Sequence, residues 1–276
     1  MKIWEAILYG IIGGLTEVLP VSFAGHAALL RGAFNLSSLN EGAGLYVRAA
    51  ICLGVLLAAM IAFRSEFFGA GREMLALRGG RKRRKHGSPM RRGLFMGAAA
   101  LLPWLISFVF TAHAERVERL LYVALFFVAN GLILYFGSRA LPGLKDEKNV
   151  TLPDALLNGV CRLPCVFPGL SPVAASLSAG RLCGLSDGYN LRQCYGVLAA
   201  YQAAAFLYRL IRAIAFGSFS GMVLWMMLIA AALATVAGYF AIQYFRYLLH
   251  KQKFGIFSYY CWEAAAICLI VALINA

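Results

Sequence analysis

Residues 14–30 read GLTEVLPVSFAGHAALL, and this stretch decides the fold. It is apolar at both ends, yet Glu17, Pro20, Ser22 and His26 fall in its middle. A transmembrane helix needs about 20 predominantly apolar residues. The surrounding run, 3–34, is long enough, but it cannot cross lipid as one clean helix. Proline removes a backbone hydrogen bond, and hydrocarbon offers no replacement partner. Broken helices at membrane depth are tolerated only when buried in protein or lining a polar cavity. The stretch is therefore expected to be a re-entrant, discontinuous helix pair.

A second stretch has the same character. Residues 162–182 read RLPCVFPGLSPVAASLSAGRL, within a longer apolar run at 155–184. Pro164, Pro168 and Pro172 break it, and Arg162 and Arg181 charge it. Clean spans are expected at 43–63, 94–112, 119–138, 194–215, 221–244 and 257–275. Composition agrees. Of 276 residues, 61% are hydrophobic and 14% charged, with a mean hydropathy of +0.73. Soluble domains run at about 45–50% apolar and about 25% charged. The chain is expected to be an all-α integral membrane protein forming one polytopic domain. A secreted disulfide scaffold, a disordered chain and an ordinary soluble enzyme are excluded.

The net charge of +14 is concentrated. Ten basic residues lie between Arg64 and Arg92, including the run 81–85, offset only by Glu66 and Glu73. In a membrane protein such a loop (64–92) is expected to be cytoplasmic. Contact with anionic headgroups is a further expectation. No motif or aromatic platform accompanies the charge, so nucleic acid is not expected as a partner. With 64–92 inside, span 43–63 runs inward, and the loops at 139–154 and 246–253 also fall inside. The two broken segments then approach from opposite faces, the layout of an inverted-topology repeat with halves at roughly 1–138 and 139–276. The seven cysteines are odd in number, contain no CxxC and sit mostly in apolar runs. They suggest neither a disulfide framework nor a metal site. Glu5 and Glu17 interrupt the first apolar stretch, so no cleavable signal is expected.

A carboxylate inside a membrane segment costs about 2.5–3.5 kcal/mol on insertion scales and is usually paired or functional. Glu17, Ser22 and His26 cluster at one break, which makes them candidate site residues. The alternative is that Glu17 caps the next half-helix and His26 is a satisfied core histidine. At the second break, the run from Pro168 through Gly169 to Ser171 ends one helix and starts another. The free N–H groups of that new helix would bind an anion, with Ser171 and Ser176 as hydroxyl donors. Here the alternative is an N-cap serine beside a packing proline. A histidine, a carboxylate, a helix-terminus anion hole and nearby arginines suit phosphoryl chemistry.

These residues resemble the undecaprenyl-diphosphate phosphatases of the bacitracin-resistance type. The first family motif is similar to residues 13–26, GGLTEVLPVSFAGH. A second is similar to ALLNGVCR at 155–162 followed by PGLSPVAAS at 168–176. The likeness continues through 53–58, 184–186 and 257–260, nearly the whole chain in order. It implies two re-entrant helix pairs in an inverted repeat and a multi-pass place in the bacterial cytoplasmic membrane. It also implies removal of the terminal phosphate of undecaprenyl diphosphate to recycle a lipid carrier for wall synthesis, with a Mg²⁺ or Ca²⁺ ion. By that resemblance Glu17 would hold the metal or the water. His26 would be the general acid/base or assist a nucleophile. Ser22 and Ser171, with the Gly169 backbone, would bind phosphate. A homodimer is allowed.

The chain also departs from the family pattern. Gly13 stands for a glutamate, Phe23 for a serine, Ala24 for a threonine and Arg162 for a glutamine. Pro172, Val173 and Ala174 replace an Arg-Ser-Gly run. Arginine is the natural bidentate clamp for a diphosphate, and Arg162 and Arg181 are the candidates to replace the one lost. Hydrolysis is the leading expectation. The alternatives are a non-catalytic relative that binds or flips polyprenyl phosphate, and a small-solute transporter.

Overall fold

A computed structural model of the chain describes residues 1–78, 89–114 and 119–275. The basic run 81–85 lies outside the described residues. Twelve α-helices are present among them. They are α1 (Ile3–Val18), α2 (Phe23–Phe34), α3 (Gly42–Ala62), α4 (Arg64–Arg78), α5 (Pro89–Leu105) and α6 (Ser107–Ala114). Then follow α7 (Leu120–Arg139), α8 (Leu152–Val160), α9 (Pro172–Leu182), α10 (Asp187–Phe216), α11 (Gly221–His250) and α12 (Ile256–Ile274). Six stretches are long and apolar enough to cross a membrane: α3, Pro89–Phe110, α7, α10, α11 and α12. These are the six spans expected, with α10 and α11 extended to 30 residues each. The chain is an all-α, multi-pass membrane protein.

Both broken segments are helix–break–helix units, α1 with α2 and α8 with α9. The residue before a proline is pushed out of the helical region. Leu19, Phe167 and Ser171 each precede a proline, and each has extended backbone. The second break also holds a short 3₁₀ turn, Leu163–Val166. Pro172 occupies the first turn of α9, where its missing N–H costs nothing. Gly169 has φ +112, and a Cβ there would meet the Val123 carbonyl at 2.8 Å, so glycine is required on both counts.

Helix α1 packs closely along α11. A Cβ on Gly14 would lie 2.6–2.7 Å from the backbone of Ala234, and Gly10 meets the Ala230 backbone in the same way. Gly10 and Gly14 therefore face Ala230 and Ala234, two small residues four apart on each helix. Such small-residue seams let helix backbones approach where no hydrophobic effect drives association. The end of α10 meets the start of α3, where a Cβ on Gly217 would touch the Tyr46 ring at 2.6 Å. Further helix pairs are α3 with α10, α7 with α12, and α5 with α8.

Candidate functional site

The two breaks meet. The Gly169 N–H donates to Ser22 Oγ at 3.0 Å. The Asn130 side chain on α7 donates to the Pro20 carbonyl at 2.9 Å and accepts from the Ser171 N–H at 2.9 Å. One buried amide thus ties a carbonyl of the first break to an N–H of the second. Tyr195 of α10 adds a bond from its hydroxyl to the Val18 carbonyl, 2.7 Å, satisfying a group left open at the end of α1.

Beside this junction lies a cleft of about 70 Å³, lined in part by Thr16, Glu17, Ser22, Arg48, Tyr201 and Arg209. Trp104, Pro168 and Pro172 also face it. Its volume holds a few waters or a small anion. Ser22 caps α2, accepting from Gly25 N at 3.4 Å as well as from Gly169. It does so with φ +68, a region a non-glycine residue rarely adopts. Its two lone pairs are therefore engaged and its hydroxyl proton remains to donate. Glu17 accepts a hydrogen bond from Gln202 Nε2. Arg209 donates to Cys52 and lies within electrostatic reach of Glu17. Arg48 donates to Asn40.

The other expected residues lie around the cleft rather than in it. His26 is buried, with Nδ1 donating to the Ser22 carbonyl at 2.7 Å and Nε2 accepting from the Tyr260 hydroxyl at 2.6 Å. The carbonyl partner fixes the protonated nitrogen as Nδ1. His26 does not line the cleft. Ser171 is buried and caps α9 through a bond from Ala174 N. Ser176 and Asn158 both accept from Arg162, which is almost fully buried. The Arg162 guanidinium lies 5.0 Å from the Trp104 ring, and that ring stacks on Tyr201 at 3.7 Å. Arg162 thus supports the back of an aromatic wall whose front faces the cleft. Arg181 is elsewhere. It pairs with Asp187 at 2.8 Å and donates to Ser138 O, Ala140 O and Gln252.

Sequence reading passed over Arg48, Arg209, Gln202 and Asn130. The signal was available, because each is a polar or charged side chain inside an otherwise apolar span.

A divalent cation is implied by the family resemblance. Among the described residues no three His, Cys, Asp or Glu side chains converge. The cleft offers one carboxylate, Glu17, beside two guanidinium groups. Gly13, which stands where the first family motif carries a glutamate, faces the Ile51 side chain. Hard cations need several oxygen donors with negative charge nearby. These residues do not make a preformed divalent-cation site.

Comparisons with known proteins agree on one family. A family model described as bacitracin resistance protein BacA matches residues 6–267. A protein of Methanobrevibacter smithii called undecaprenyl-diphosphatase is 28% identical over 270 residues, covering 95% of each chain. Those of the same name from Gemmatimonas aurantiaca and Rubrobacter xylanophilus are each 29% identical, covering 94% and 99% of both chains respectively.

Proposed function

This chain belongs to the bacitracin resistance protein BacA family and is an undecaprenyl-diphosphate phosphatase-like membrane protein, and on that premise we propose that its cleft hydrolyses a polyprenyl diphosphate. The substrate is undecaprenyl diphosphate or a close relative. The products are the lipid monophosphate and inorganic phosphate. The place is the outer half of the cytoplasmic membrane, and the two halves of the chain form an inverted repeat. The carrying observation is the meeting of both broken segments, through Ser22 and Gly169, at a cleft holding a carboxylate and two arginines.

The chemistry follows from the groups present. A water oxygen attacks the terminal phosphorus, the bridging P–O bond breaks, and the lipid monophosphate leaves. Glu17, oriented by Gln202, takes the proton from the attacking water. The Ser22 hydroxyl donates to a phosphoryl oxygen, and the arginines balance its charge. His26 acts through position: by holding the Ser22 carbonyl it fixes the strained turn that presents Ser22 Oγ.

The test is phosphate release from undecaprenyl diphosphate by the purified protein, beside Glu17→Gln. The proposal expects release by the wild type and a fall of about 10²–10⁴ in the variant, the usual size of a general-base contribution. The binding or flipping alternative is favoured by one observation: both His26 nitrogens are engaged within the protein and neither faces the cleft. Stabilisation by the lipid without phosphate release would establish it.

A further inference from the structure

Arg48 and Arg209 sit inside spans α3 and α10, where an ionisable group is costly and points to a site. They come from opposite directions. Arg48 is six residues after the start of α3, and Arg209 is seven before the end of α10. At 1.5 Å per residue each lies about 10 Å along its helix from that end. Those two ends touch, through Tyr46 and Gly217. The two guanidinium groups therefore reach one cleft at one depth, with Glu17 also lining it. Arg48 has a second aspect. It also lines an adjoining hollow with Tyr9, Ala27, Ala28 and Leu39, besides Arg31 and Asn40.

The charges decide what the cleft takes. One carboxylate and two guanidinium groups leave it with a net charge of about +1 before any ligand binds. A divalent cation would enter against that charge with a single carboxylate to hold it. A diphosphate would enter with it. Guanidinium groups are weakly hydrated and bind phosphate oxygens bidentately, so a pair can hold a diphosphate and offset part of its charge without a metal.

We propose that Arg48 and Arg209 form a two-arginine diphosphate clamp that takes the place of a divalent cation in this chain. The clamp rests on the polyprenyl-diphosphate function proposed above. Arg209 and Glu17 face the terminal phosphate. Arg48, at the junction with the adjoining hollow, faces the lipid-linked phosphate and directs the first isoprene unit toward Ala27, Ala28 and Leu39. Proline can stand at position 172, at the head of α9, because the charge an arginine would supply there comes from α3 and α10.

The experiment is calorimetric titration of the detergent-purified full chain with farnesyl diphosphate, in EDTA and again in millimolar Mg²⁺. Inorganic pyrophosphate serves as a second probe, separating a lipid headgroup site from a free-anion site. The wild type is expected to bind farnesyl diphosphate in EDTA, with an affinity that Mg²⁺ leaves within about twofold. Arg48→Gln and Arg209→Gln should each weaken binding about ten- to a hundredfold, the value of one charged hydrogen-bonded contact. Arg48→Lys and Arg209→Lys keep the charge and fold, and should recover part of the loss. Weaker binding of pyrophosphate than of farnesyl diphosphate is expected, because the isoprene hollow adds affinity. Two results overturn the clamp while leaving the polyprenyl-diphosphate function standing: binding that requires Mg²⁺, and glutamine variants that melt and bind like wild type. Pyrophosphate binding as tight as the lipid's overturns the assignment of the hollow to the first isoprene unit. Failure of the wild type to bind farnesyl diphosphate in either buffer overturns both.

Discussion

At the scale of single residues, three buried polar groups hold the junction of the two breaks. Asn130 has its amide committed to Pro20 O and Ser171 N, with Cys261 Sγ as a third neighbour at 3.2 Å. Asn130→Ala would leave a buried carbonyl and a buried N–H without partners. Each orphaned group costs about 1–3 kcal/mol, so the variant should melt several degrees lower in detergent and lose any phosphate release. A wild-type melting curve would contradict that role. His26 and Ser22 were visible in the sequence as a polar cluster at a proline break. Their division of labour was not. Which side of the turn a ring faces depends on α7 and α12, which bring Phe127 and Tyr260 against it from more than a hundred residues away. The same holds for Arg162 and Arg181, whose partners lie on other helices.

At the scale of elements, the prolines made the breaks legible and left their relation open. Each pre-proline residue has the extended backbone its neighbour dictates. The hydrogen bond between Ser22 and Gly169 joins residues 147 apart, and no local pattern contains it. The α1–α11 seam is a further prediction. Gly14→Val would press a branched side chain into the Ala234 backbone, which has no flexible end to yield. Loss of the folded, monodisperse protein on size-exclusion chromatography is expected, while Gly221→Ala, open at its Cβ, should leave the profile unchanged.

The first turn of α8 gives a pH prediction. Partial burial pushes the Asp154 carboxyl up. Hydrogen bonds from the Thr151 N–H and hydroxyl, and from Lys145, outweigh it and hold the group below the ordinary carboxylate range. Because its folded value is depressed, its stabilisation is present above the unfolded value and is lost as pH falls through the folded one. Asp154→Asn should therefore melt below wild type at neutral pH, and the gap should close under acid. A gap independent of pH would contradict this.

At the scale of the whole molecule, six spans and two broken pairs were readable because hydropathy, proline and charge all act locally. The cleft was not, because it is assembled from α1, α2, α3, α5, α10 and the second break. From the charge pattern, residues 81–85 are expected on the cytoplasmic side. A cysteine introduced at Ser88 should accordingly react with an impermeant maleimide only after the membrane is opened, and labelling of intact cells would overturn the topology.

The central claim, that this cleft directs water to the terminal phosphorus, is tested most directly by hydrolysis of undecaprenyl diphosphate in heavy-oxygen water, read by mass spectrometry of both products. The account predicts the label in inorganic phosphate, none in the lipid monophosphate, and loss of product with Glu17→Gln. Label in the lipid monophosphate would contradict the assigned geometry. No product from the wild type, with the lipid still bound, would mean that the fold and its anion site persist without the hydrolysis.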